Sequence, residues 1–294
     1  MTEAVFRDAR PDDAAGIGTL LHQHMNRKLS AEMFARIVDY PWHEPDAPHR
    51  GQVAEADGQI VGYHGIIFSH RKFSGTSHLM GNFSSLYVHR DWRGSDLGLR
   101  MMRRIVSDRD VTMTVFDPTK RVHGILEACG FTDIDLYRYV WNPNFHSDRP
   151  APEMVTGAEN ILPKLEDPEL RRITSDHADL RVRLVLLIDR ETGAQCLTGF
   201  LDQHRGDDGQ VLDMIYCSSP AILARCIDGA APTLTDRENG RLLIDERFLD
   251  GHQVAGEKVR HGHRRMIRPA ANPLPGWQVD HMYSETVLMP LKLS

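Results

Sequence analysis

The stretch Ser85-Leu86-Tyr87-Val88-His89-Arg90-Asp91-Trp92-Arg93-Gly94-Ser95-Asp96-Leu97-Gly98-Leu99 is where residue types and spacing point to chemistry. Residues 80–88 predict a strand, Arg93-Gly94 a tight loop, and residues 94–98 the entry to a helix reaching about residue 108, with Leu99, Met102, Ile105 and Val106 apolar. A strand turning through such a loop into a helix directs unpaired first-turn N–H groups and the positive end of the helix dipole at one point. That point suits an anion such as a pyrophosphate. The same arrangement also serves simply to reverse the chain, so spacing alone leaves both readings open.

The elements that position this stretch can be read outward from it. A strand over 5–9 leads through Arg10-Pro11-Asp12-Asp13 into a helix ending near residue 24, and Ser30 caps a second helix carrying Met33, Phe34, Ile37 and Val38 until Pro41 stops it. Strands over 52–55 and 60–70 flank Ala56-Asp57-Gly58-Gln59, whose Asp-Gly is a hairpin signal. On the strand over 80–88, alternation places Asn82, Ser84, Leu86 and Val88 on one face and Phe83, Ser85 and Tyr87 on the other. A buried strand over 111–116, a helix over 118–128 closed by Gly130, and a last strand over 134–141 complete a mixed α/β domain, residues 1–142. Residues 143–153 lack apolar periodicity and read as a linker. The remainder, 154–294, echoes the same order: a helix near 160–165, strands over 180–189, 194–203 and 210–217, a helix over 220–227, and strands near 241–248 and 286–291.

Composition narrows the partners. With 294 residues, 35 Lys plus Arg against 41 Asp plus Glu and a net charge of −6, the chain has no general field to attract nucleic acid or anionic lipid. No apolar run approaches the roughly 18 residues of a membrane span, and the N-terminus has neither a secretory h-region nor transit-peptide character. The expectation is a cytoplasmic protein with no nucleic-acid or membrane partner. Cys129, Cys196, Cys217 and Cys226 form no CxxC pair and read as reduced core thiols. Cys129 ends a helix, where the dipole disfavours a thiolate nucleophile. No metal is expected from the 16 histidines: His22 and His24 cannot share a helix face, and His261 and His263 sit among Arg260, Arg264 and Arg265 in a basic run over 258–268. GxSxG, GxxxxGK[ST] and HExxH patterns are absent.

The loop and its surroundings resemble the acyl-CoA binding motif of the GNAT superfamily of N-acyltransferases, with Arg93, Asp96 and Gly98 at the three defining places and Cys129-Gly130-Phe131 similar to the family's terminal Gly-Phe. The resemblance implies a GNAT-like mixed central sheet with flanking helices, followed by a second, degenerate GNAT-like α/β domain. It also implies acetyl-CoA as co-substrate, a small-molecule amine as acceptor (an amino sugar or nucleotide-linked amino sugar by family analogy), and direct attack without a covalent enzyme intermediate. Leu86, Tyr87 and Val88 would form the backbone platform for the pantetheine arm; Arg93, Gly94, Ser95, Asp96, Leu97, Gly98 and Leu99, with Thr119, would hold the rest of the cofactor. The second half would supply substrate contacts or form a homodimer. Three positions depart from the family: Asp96 replaces the loop glycine and is expected to cap the following helix, Leu126 replaces the usual tyrosine acid, and Asn82 stands where some members carry a general base. His123, three residues before Leu126, and His64, on the neighbouring strand, are the replacements, with His70 and His78 as further bases; Asp117 reads as a helix cap. The alternative is a non-catalytic member of the fold that binds acyl-CoA or a protein partner.

Overall fold

The computed structural model describes residues 4–42, 47–93, 96–116, 118–205, 209–236, 240–262 and 265–290. In chain order the elements are β1 (Val5–Asp8), α1 (Ala14–His24), α2 (Ala31–Ala35), β2 (Gln52–Ala56), β3 (Gln59–Phe73), β4 (Thr76–Val88), α3 (Leu97–Ile105), β5 (Thr112–Val115), α4 (Lys120–Ala128) and β6 (Thr132–Asp133). They continue as β7 (Tyr137–Trp141), β8 (Glu153–Thr156), α5 (Ala158–Ile161), α6 (Pro168–Asp176), β9 (Val182–Ile188), β10 (Gln195–Arg205) and β11 (Gly209–Cys217). The last are α7 (Pro220–Leu234), β12 (Arg241–Asp245), β13 (Glu257–Arg260), β14 (Met266–Arg268) and α8 (Glu285–Leu288). The chain divides into two units: one takes the residues through Thr132 with Met266–Pro273 and Tyr283–Leu291, the other Asp133–Arg265 with Leu274–Met282.

The first unit is built on a seven-stranded sheet of order β1-β2-β3-β4-β5-β14-β6. Its hairpins follow from local chemistry: Asp57 and Gly58 take φ of 50° and 74°, and Ser74 and Gly75 take 49° and 78°, the positive values that two-residue turns between twisted strands require. Ser30 caps α2 as expected, its hydroxyl accepting from the Met33 N–H at 3.2 Å. Ile66, Phe68 and Phe83 of the sheet pack with Met102 and Ile105 of α3 and Leu126 of α4 in one buried cluster. Each such side chain contributes about 1.5–3 kcal/mol by leaving water.

Two irregularities of β4 shape the sheet around its C-terminal half. Its register with β3 runs His64↔Leu86 and then Ile66↔Phe83, so β4 carries one extra residue at Ser84-Ser85. This bulge overturns the simple alternation expected for 80–88: Leu86 joins Phe83 in the same apolar cluster. Parallel pairing with β5 stops early, at Met80↔Thr112, Gly81↔Met113 and Asn82↔Thr114.

The second unit has its own seven-stranded sheet, β13-β7-β12-β11-β10-β9-β8. The strand expected over 134–141 as the end of the first domain is divided: β6 edges the first sheet, and β7 pairs antiparallel with β12 and β13 in the second. The unit boundary accordingly falls at Thr132/Asp133 rather than after residue 142, and β14 takes the place beside β5 through Met266↔Val115. The physical reason is Arg138 of β7. Its buried guanidinium donates to Asp245 at 2.7 Å and Asp213 at 3.0 Å, carboxylates that only the second sheet supplies. A second correction concerns 286–291, read as a strand; Glu285–Leu288 form the short helix α8, with the Met289 N–H returned to the Glu285 carbonyl.

Arg138 belongs to a larger buried group. Arg247 contacts Asp135 and, at 2.9 Å, Asp245; Arg265 contacts Asp245 and, at 3.3 Å, Asp213; His261 Nε2 lies 3.1 Å from Asp245. Burial and the two guanidiniums of Arg265 and Arg247 hold His281 well below the usual histidine range, so its Nε2 lone pair accepts from Arg247 at 2.8 Å and Arg265 at 3.2 Å. Three arginines thus meet three aspartates with neutral histidines completing their hydrogen bonds. The basic run over 258–268 sends His261, Arg265 and Arg268 inside.

Candidate active site

Where β4 and β5 part, a cleft opens with a volume of about 480 Å³, lined by Leu86, Val88, Trp92, Arg93, Asp96, Gly98, Leu99, Met102, Val122 and Ile125. Backbone polarity in this gap follows from the pairing. The His89 N–H donates to the Val61 carbonyl of the β3 side at 2.8 Å. Alternation then turns Tyr87 toward β3 and the N–H and C=O groups of Leu86 and Val88 toward the edge that β5 has left. The Val88 carbonyl receives Arg93 Nε at 3.0 Å. Leu86 therefore presents both an N–H and a C=O to the cleft, and Val88 an N–H.

The far wall is α3, nine residues long and starting at Leu97. By helix geometry the first-turn N–H groups at Leu97, Gly98 and Leu99 have no i−4 partner within the helix. A methyl group built on Gly98 would meet Val88 Cγ2 at 3.6 Å, ordinary contact distance, so α3 and β4 approach closely without crowding. Leu97 turns inward to pack with Met101 and Ala54. Asp96 occupies the N-cap position but its side chain makes no capping bond, contrary to expectation. Its carboxylate is 66% exposed and lies 3.9 Å from Arg100, one turn on. It thus points along the helix surface toward a cation and leaves the cleft open. Gly94 and Ser95, expected to share the cradle, and Asp117 lie outside the described residues. Thr119 caps α4 by accepting from the Val122 N–H at 3.4 Å, which orients Val122 into the cleft wall.

The side chains expected to move protons are placed differently. Asn82 donates its amide to Thr114 Oγ1 at 3.0 Å, clamping β4 to β5 at their last paired register, so it fixes the point of divergence. His123 is not among the cleft-lining residues; its Nδ1 lies 3.6 Å from Glu127, one turn along α4. Leu126 is wholly buried in the core. His70 and His78 sit near the β3–β4 turn, His70 on Ser77 at 3.1 Å, about 25 Å from Leu86 at the rise of a strand. His64 is 1% exposed and packs edge-on against Phe83, and burial pushes its imidazole down to about 3. An imidazole neutral and sealed at working pH is a packing group, which corrects the expectation of His64 as a base.

His64 has a consequence for acid stability. Its folded pKa lies below the unfolded value near 6.5, so the unfolded chain binds the extra proton, and stability is full above pH 6.5 and declines as pH falls toward 3. His64→Phe is expected to remove about 1.4 kcal/mol of destabilisation per pH unit between 6 and 4, read from urea midpoints at each pH. Parallel pH profiles for the two proteins would contradict the placement.

Comparison with known proteins shows what this fold resembles. Residues 16–131 match the family model described as Acetyltransferase (GNAT) family, a span that contains β4, the cleft and α3. This part of the first unit is thus similar to a GNAT acetyltransferase domain. No curated protein sequence matches the chain. Among solved structures, a GCN5-related N-acetyltransferase from Anabaena variabilis aligns over 90% of this chain and 72% of its own, with TM-score 0.57 and 11% identity. A GCN5-related N-acetyltransferase from Kribbella flavida aligns over 91% and 71%, with TM-score 0.56 and 13% identity. A candidate acetyltransferase from Pyrococcus horikoshii aligns over 96% and 94%, with TM-score 0.52 and 14% identity. These likenesses extend across both units, so the fold is mixed α/β in a tandem GNAT-like layout. Among the described residues no helix is long and apolar enough to cross a membrane.

A contact on β4 that sequence reasoning missed is made by Glu285. Its carboxylate accepts from the Ser85 N–H at 3.1 Å and lies 3.4 Å from the Ser85 hydroxyl. Two hundred residues separate the partners. No local pattern announces such a contact, and reading 286–291 as a strand directed attention away from it.

Proposed function

We propose that this protein is an N-acetyltransferase that moves an acetyl group from acetyl-CoA to the primary amine of a small molecule by direct attack. The observation that carries the reading is the gap between β4 and β5, where Leu86 and Val88 turn backbone groups toward an apolar cleft that ends at the first turn of α3. A pantetheine arm is an amide chain with apolar stretches, and it fits a platform offering N–H and C=O in alternation. A diphosphate suits the Leu97–Leu99 amides with the guanidinium of Arg93 beside them, and Asp96, drawn toward Arg100, does not fill the space. The apolar wall keeps water from the thioester, and a backbone N–H near its carbonyl stabilises developing negative charge, so positioning and electrostatics supply much of the rate. An amino sugar or nucleotide-linked amino sugar is the acceptor class we favour, by family analogy. The test is thiol release from acetyl-CoA across a panel of amines that includes both, with calorimetry of CoA binding in parallel. Release that depends on one amine class supports the reading; binding without release for any amine would replace the enzyme with a non-catalytic acyl-CoA binder.

A further inference from the structure

Direct attack needs an acceptor amine in its neutral form, and most amines arrive protonated. Among the described residues that line the cleft the one carboxylate is Asp96, and that lies at the α3 end beside Arg100. β4 itself, Thr76–Val88, contains no acidic residue. Asn82 is committed to Thr114, and His64 is sealed in the core. Among the described residues, a carboxylate that does reach β4 comes from α8: Glu285, hydrogen-bonded to Ser85, the bulge residue immediately before Leu86. The bulge matters because its extra residue frees the Ser85 N–H from the ladder with β3, and that N–H anchors the carboxylate beside the strand that forms the cleft wall. Glu285 is itself only partly buried.

We infer that Glu285 is the general base of the transfer, a deeper reading that rests on the proposed N-acetyltransferase activity. The acceptor ammonium gives one proton to the Glu285 carboxylate. The freed amine nitrogen forms a bond to the thioester carbonyl carbon, the carbon–sulfur bond breaks, the second nitrogen proton leaves to the departing thiolate, and the proton on Glu285 passes to solvent. Amide, thiol and one released proton account for every atom. Among the described residues, β3 brings a charged and a titratable group to this side. The Arg71 guanidinium stacks 4.1 Å from the ring of Tyr283, two residues before Glu285. Burial, with Tyr40 adding, keeps the Tyr63 phenol protonated through the working range, and the Glu285 charge pushes in the same direction. Tyr63 therefore keeps its own proton and takes none from the acceptor.

Glu285→Gln separates chemistry from anchoring, since the amide oxygen still accepts from Ser85 while basicity is gone. With an amine that the unaltered protein acetylates, kcat is expected to fall about 100-fold with CoA affinity by calorimetry unchanged, and the rise of kcat/KM with pH through the carboxylate range is expected to disappear. Glu285→Asp should recover part of both. A Glu285→Gln protein with the original rate and pH profile overturns the assignment. A loss of CoA affinity as large as the loss of rate also overturns it, making Glu285 a support for the bulge. Should the unaltered protein bind CoA yet release thiol with no amine, the activity itself fails, a result distinct from either.

Discussion

Asp245→Asn is expected to lower the stability of the second unit by about 3–5 kcal/mol, the cost of breaking a buried ion pair from one side. Asp245 is fully buried and takes contacts from Arg138 at 2.7 Å, Arg247 at 2.9 Å, Arg265 and His261. Burial alone would raise its carboxyl pKa, yet Arg265 and Arg138, then His261 and Arg247, outweigh it and hold the group well below the usual carboxylate range. An asparagine of the same shape leaves three guanidiniums facing the two carboxylates of Asp135 and Asp213. One cation is then buried without a counter-charge, and volume changes do not enter. Urea titration followed by the fluorescence of Trp141, wholly buried in the same unit, reads the effect. A midpoint within experimental error of the unaltered protein would mean that the arginines find other partners.

The same cluster explains why one part of the fold was hidden from sequence. Tyr137-Arg138-Tyr139-Val140-Trp141 reads as a strand from its aromatic and β-branched residues, and it is one. Which sheet it joins depends on carboxylates far along the chain, at positions 213 and 245, and no local pattern encodes that pairing. By contrast the strand over 76–88 and the helix over 97–105 were legible because each decision is local: apolar strand residues, and an apolar stripe at helical spacing. Asp57-Gly58 and the Ser30 cap were legible for the same reason. The bulge at Ser84-Ser85 was not, since an extra residue in one strand shows only against its partner's register. The placement of His64 was hidden similarly: a histidine's type is visible in sequence, whereas its burial is set by what packs over it, as Phe83 does over His64.

Gly98→Trp is expected to abolish measurable CoA affinity, a weakening of roughly 100-fold or more by steric exclusion. Gly98 lines the cleft, and a side chain there begins 3.6 Å from Val88 Cγ2, so an indole placed there reaches into the gap between β4 and α3. Gly98→Ala is the control. Its single methyl makes ordinary contact with Val88, and alanine in place of glycine stabilises a helix by about 0.5–1 kcal/mol, so affinity should stay close to the original. The contrast between the two variants ties any loss to volume in the cleft. Affinity unchanged in Gly98→Trp would put the cofactor elsewhere on the molecule.

The proposed activity requires an acyl-CoA lying along the open edge of β4 with its diphosphate at the first turn of α3. Amide hydrogen exchange with and without CoA tests that placement most directly. The expected result is CoA-dependent protection at Leu86, Val88 and Leu97–Leu99, the amides that face the cleft. Saturating CoA that leaves these positions unprotected, or protects a segment apart from β4 and α3, would contradict it.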